Sequence, residues 1–100
     1  MSKFEKELIK NGYKEFKVPS FEEYASKFYQ KRVIDKAGIT KYVISCYIYE
    51  YSYEFELDMQ TGVCCINTKL YDFTPDNLKL GKIEKQIEEI YQGLGDILYE

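Results

Sequence analysis

Eighteen consecutive residues, Tyr42 to Met59, carry no glycine and no proline, and their composition is strand-like. Strands of globular proteins mostly run about 3–10 residues, so this segment is too long for one straight strand and has to fold back on itself. A tight turn at Tyr51-Ser52 pairs Ile48 with Phe55, Cys46 with Leu57, and Ile44 with Met59, all apolar. The opposite face then pairs Tyr49 with Glu54, Tyr47 with Glu56, and Ser45 with Asp58. The hairpin separates an aliphatic inner face from a tyrosine-and-acid outer face. Tyr-Ser is a poor pair for a two-residue turn, and a slightly longer loop of matching parity would preserve the same faces.

A second turn at Thr61-Gly62 extends the pattern. It pairs Met59 with Cys64, Leu57 with Ile66, Phe55 with Thr68 and Tyr53 with Leu70 on the inner face, and Glu56 with Asn67 and Glu54 with Lys69 on the outer one. Two turns that agree on the inside support each other. Upstream, RVID and ITKYVISCYIYE flank a turn at Gly38, where a two-residue loop sends Val33 inward and a three-residue loop sends Ile34 inward. The expected core is therefore a four-stranded antiparallel meander.

Helices flank it. Ser2 with Glu5 forms a capping box for a short first helix that stops at Gly12. Ser20 with Glu23 opens a second capping box, and Phe21, Tyr24, Ala25 and Phe28 at helical spacing predict a helix over 21–29. Ile83, Ile87, Ile90, Tyr91, Leu94, Ile97 and Leu98 form one apolar stripe on a C-terminal helix. Thr74-Pro75-Asp76 supplies its start signals; Gly81 moves its regular part to near Lys82, and Gly93 and Gly95 end or break it. Glu84, Lys85, Glu88, Glu89 and Gln92 make its solvated face. The expectation is an α+β fold: an N-terminal helix or two helices at an edge or on the outer face, the meander, and the C-terminal helix on the inner face. One hundred residues make a single domain, 1–100, able to bury roughly two-thirds of its unfolded surface.

Composition narrows the chemistry. The chain has no histidine, which removes the commonest general base and metal ligand. It has no nucleophile elbow, phosphate-binding glycine loop or Cys-x-x-Cys pair, so no catalytic residue, metal site or cofactor is expected, and the chain reads as no enzyme. Glu54, Glu56 and Asp58 lie about 6.7 Å apart along a straight strand, a poor cage for one cation. Cys46, Cys64 and Cys65 read as reduced thiols of a cytoplasmic protein. No secretory leader and no membrane span stand out, and no small-molecule site is evident. Residues 1–40 carry a net +3 and residues 41–100 a net −6. The acids beside the tyrosines argue against nucleic acid as a ligand, since a stacking platform needs cations to neutralise phosphate.

The partner-binding candidates are accordingly Tyr47, Tyr49, Glu54, Glu56 and Asp58, with Asn67, Lys69 and Tyr71 on the same face. Tyrosine is rigid and amphipathic and is enriched at protein interfaces. The face can take a protein partner or a second copy of the chain; its carboxylate row can also imitate a phosphate backbone and block a basic groove. The competing reading is internal: the tyrosines stack on Phe4, Phe16 or Phe28.

Thirteen lysines against one arginine, with many Ile and Tyr, point to an AT-rich coding sequence and hence to a low-GC bacterium or its phage. The segments KFEKELIKNGYKEF, FYQKRVID and AGITKYVISCYIYEY, followed by YEFEL, resemble a loose group of short uncharacterised proteins from phages, prophages and mobile elements of such bacteria. That group separates its two tyrosine-rich segments by a longer polar loop, and the near absence of one here favours a turn near Tyr51. The resemblance implies a small accessory or host-interaction protein and carries no activity onto particular residues.

Overall fold

A computed structural model describes residues 2–61, 64–73 and 78–98, without the side chains of 60, 61, 64–66, 71, 72 and 95–98. The expected turn at Thr61-Gly62, the Thr74-Pro75-Asp76 start signals and the side chains of Cys64, Cys65, Tyr71, Ile97 and Leu98 thus fall wholly or partly outside what is described. The chain runs α1 (Lys3–Lys10), β1 (Lys14–Phe16), β2 (Lys27–Ile34), β3 (Thr40–Ile48), β4 (Tyr53–Thr61), β5 (Cys64–Phe73) and α2 (Leu80–Leu98). The strands form one antiparallel sheet in the order β1-β2-β3-β4-β5, an α+β meander. It has five strands rather than four. The extra one is the three-residue edge strand Lys14–Phe16, too short to leave a periodic signal.

The first helix begins as its sequence predicts. Ser2 Oγ accepts from Glu5 N at 3.1 Å, and Gly12 takes the left-handed conformation, φ +95°, after the last turn. The expected helix over 21–29 is absent. Residues 20–24 form turns closed by Glu22 N to Pro19 O and Ala25 N to Glu22 O, and β2 starts at Lys27. An isolated helix that short is marginal. As a strand, the same residues bury Tyr29 on one face and Phe28 on the other and bond along the whole of β3.

Both hairpins keep the expected faces but are offset by two residues. Ile48 pairs with Tyr53, Cys46 with Phe55 and Ile44 with Leu57 across a four-residue loop, closed by Tyr49 N donating to Ser52 O at 2.9 Å. Leu57 pairs with Thr68 and Met59 with Ile66. At the first hairpin a bulge after Val33 sends Val33 toward the core and leaves Ile34 exposed. Asp35 Oδ1 holds that turn by accepting from Ala37 N and Ile39 N, and Gly38 sits at φ +81°.

Both helices cover the inner face; α1 is on neither an edge nor the outer face. Leu8 of α1 shares one core with Ile83 and Ile87 of α2 and with Tyr29, Ile44, Cys46, Phe55 and Leu57 of the sheet. Phe4 packs edge-on against Tyr53 and Phe55, with centroids 5.0 and 6.3 Å apart. Cys46 is fully buried, and burial pushes its thiol up so that it stays protonated. The second helix starts before Gly81 and runs through Gly93 and Gly95. Among the described residues no helix is long and apolar enough to cross a membrane.

Three helix carboxylates are each clamped by a lysine and a tyrosine. Glu5 Oε2 accepts from Lys27 Nζ at 2.7 Å and Tyr29 Oη at 2.9 Å. Glu84 Oε2 accepts from Lys31 Nζ at 2.7 Å and Tyr13 Oη at 3.3 Å. Glu88 accepts from Lys41 Nζ at 2.9 Å and from Tyr42 Oη. Glu84 and Glu88 therefore dock the helix rather than face solvent, because each follows a core isoleucine and lies at the border of the buried stripe. Burial disfavours charge on Glu5 and Glu88, but their hydrogen bonds outweigh it and hold both carboxyls below the usual range. Glu5→Ala leaves the buried Tyr29 hydroxyl without its acceptor. It is expected to lower unfolding free energy by about 1–2 kcal/mol, read from urea denaturation.

Candidate functional site

The outer face carries three rows that cross the sheet. Pairing in register sets Phe16, Phe28, Tyr47 and Glu54 in one row. Lys14, Gln30, Ser45, Glu56 and Lys69 form the next. Arg32, Val43, Asp58 and Asn67 form the third. Cations stand on β1 and β2, acids on β4, and one more cation on β5.

The middle of the aromatic row, Phe28 and Tyr47, is closed by the protein itself, while Phe16 at its edge stays open. Tyr47 is 2% exposed, and its ring stacks on Phe28 with centroids 4.8 Å apart. The chain from 17 to 26 ties that end of the sheet together. Ser26 N and Ser26 Oγ both donate to Ile48 O, at 2.7 and 3.0 Å. Tyr49, in the loop after β3, donates from Oη to Glu22 Oε2 at 2.6 Å, and Lys69 Nζ lies 3.5 Å from Glu22 Oε1. Glu22 thus links the β3–β4 loop to β5. Burial, then the neighbouring acids, push both tyrosine hydroxyls up, so they remain neutral.

The middle rows form a hydrogen-bonded network. Gln30 Nε2 donates to Ser45 Oγ at 3.0 Å, and Ser45 Oγ donates to Asp58 Oδ2 at 3.1 Å. Asn67 Nδ2 donates to Asp58 Oδ1 at 2.8 Å and to Glu56 Oε1 at 2.7 Å. Lys69 Nζ lies 3.6 Å from Glu54 and 3.9 Å from Glu56. Glu56 is 5% exposed. Burial, then a hydrogen bond and repulsion from Asp58, push its carboxyl up to about 7, against the pull of Asn67 and Lys69. Glu56 therefore keeps its proton up to near neutral pH, hydrogen-bonded to Asp58. Among the described residues no three His, Cys, Asp or Glu are grouped to hold a metal ion.

The five predicted residues come together only in part. Tyr47, Glu54, Glu56 and Asp58 lie on the outer face as expected, but Tyr47 and Glu56 are buried and Tyr49 has left the strand. Sequence reasoning missed Glu22, Gln30, Lys14 and Arg32. The alternation Phe28, Gln30, Arg32 against Tyr29, Lys31, Val33 was the available signal for two of them; it lost to the helical spacing of Phe21 to Phe28.

Two features remain open. On the loops at the strapped end, Phe21, Tyr24 and Tyr51 are 74%, 83% and 79% exposed, beside the exposed acids Glu23 and Glu50. At the other side, a cleft of about 560 Å³ is lined by Lys14, Phe16, Gln30, Arg32, Val43 and Asp58. Set against protein-family models, curated proteins and solved structures, the chain matches none.

Proposed function

We propose that this is a non-enzymatic binding protein that engages a protein partner through the loop end of its tyrosine-and-acid face. One observation carries this reading. Three aromatic rings stand 74–83% exposed on two loops that are hydrogen-bonded to each other through Ser26–Ile48 and Glu22–Tyr49. Exposing large rings on a tethered frame costs solvation and gains nothing for folding, whereas it suits an interface hot spot. Glu23 and Glu50 beside them fit a partner with a basic rim. The resemblance to short phage and mobile-element proteins fits a host-interaction role. A nucleic-acid mimic fits less well, because Glu54 and Glu56 direct their charge to Lys69 and Asn67 within the face.

The test is affinity capture with the wild type and with Phe21→Ser/Tyr24→Ser/Tyr51→Ser, alongside thermal unfolding and light scattering. Binding of the captured partner is expected to weaken by about thirtyfold or more, the scale of one hot-spot residue, with the unfolding midpoint unchanged. Equal capture by the variant sinks the reading. A dimer of wild type that dissociates in the variant reassigns the surface to self-association.

A further inference from the structure

We propose that the outer-face cleft is a binding site for a small extended zwitterion of the short-peptide class, its anionic end on Lys14 and Arg32 and its cationic end on Asp58. This is independent of the loop end. The cleft's volume, about 560 Å³, lies within the range of small-ligand sites, about 300–1,000 Å³. Its charges are segregated. Lys14 and Arg32 come from β1 and β2 and Asp58 from β4, with Val43 of β3 between Arg32 and Asp58 in register. Two strand spacings set Arg32 and Asp58 about 10 Å apart along that row. Among the described residues neither Lys14 nor Arg32 forms an ion pair, so two cations border the cleft without an ion-pair partner, Asp58 standing across it. An anion is what they lack. A simple anion is disfavoured by Asp58 on the far wall, and a metal ion by the two cations. A molecule with opposite charges at its two ends satisfies both walls.

The polar groups are already oriented. Arg32 donates from Nε and Nη2 to Thr40 Oγ1 at 3.2 and 2.7 Å, which fixes its plane and leaves three of its five donors. Asp58 is held by Ser45 and Asn67, and Ser45 in turn by Gln30. Phe16, 49% exposed, and Val43 offer apolar contact for the ligand's middle. The termini of an extended tripeptide lie about 10 Å apart, at roughly 3.3–3.6 Å per residue, comparable to the backbone spacing of Arg32 and Asp58 across the row.

The probe is trialanine, titrated into ¹⁵N-labelled wild type at about pH 6. Saturable amide shifts are expected below about 10 mM, confined to residues 12–16, 30–32, 43 and 58. Blocking the amino end by acetylation, or the carboxyl end as the amide, is expected to weaken binding about tenfold each, since each removes a charge-assisted hydrogen bond. Arg32→Gln and Asp58→Asn should do the same with the amide spectrum otherwise unchanged. The blocked peptides test the wild-type fold directly, so a misfolded variant leaves the experiment decisive. No saturable shift up to about 10 mM overturns the proposal. Equal binding of the acetylated peptide overturns it in favour of a plain anion site.

Discussion

Tyr47→Ala is expected to destabilise the protein by about 3 kcal/mol, a large share of the whole stability of a domain this size. Tyr47 is 2% exposed and stacked on Phe28, so the substitution removes a buried ring and leaves a cavity between β2, β3 and the 17–26 segment. It also uncovers the acids that the ring helps to shield. Urea denaturation should show the midpoint falling with little change in slope. Tyr51→Ala, 79% exposed, is the matched control and should move stability by less than about 0.5 kcal/mol. A small effect of Tyr47→Ala would mean that its ring is free in solution and available to a partner. The same numbers warn against the obvious binding test: loss of capture by a Tyr47 variant reports unfolding, whereas loss by a Tyr51 variant reports an interface.

The contrast between these two tyrosines marks how far the sequence could be read. The faces of the run from Tyr42 to Met59 were legible because strand side chains alternate, and hydrophobic burial fixes that parity. The offset along the strands was not. Ile48 opposite Phe55 and Ile48 opposite Tyr53 are equally apolar, and the choice is made by a loop that closes through Tyr49 N and Ser52 O without a glycine. The outer face was placed correctly, and of the two readings of its tyrosines the internal one holds for Tyr47, which stacks on Phe28; the strap could not be read, because Glu22 and Lys69 lie far apart in the chain and nothing local announces their contact. Glu84 and Glu88 failed for a related reason. A glutamate at the border of an apolar stripe is solvated by default, and only a lysine and a tyrosine on the facing sheet turn it into a dock. The outer-face cleft was invisible because nearly all of its lining belongs to β1, β2, β3 and β4, which only the pairing brings together.

Raising the pH from 5 to 8 is expected to weaken the fold by on the order of 2–3 kcal/mol. The cause is the proton that Glu56 holds on the outer face. The Glu56 carboxyl is pushed up to about 7 in the folded protein, from an unfolded value near 4.5. Between those values the folded state binds more protons than the unfolded chain. The stabilisation is complete below the unfolded value and is lost as pH rises through about 7. Above it, Glu56 is charged beside Asp58, with Glu54 and Glu22 close by; among the described residues Lys69 lies near enough to offset them. No histidine exists to titrate in the same window. On the acid side the sign reverses. Glu5 and Glu88 sit below the usual carboxylate range, so their contribution is present above it and is lost as pH falls through their folded values. Stability should therefore peak at mildly acidic pH. Glu56→Gln separates the causes, because its amide can donate to Asp58 at every pH, as the Glu56 carboxyl does only while it is protonated. That variant should be flat from pH 5 to 8 and more stable than wild type at pH 8. A wild type with no slope across this range, or a variant that keeps the wild-type slope, would show that Glu56 does not hold the proton there.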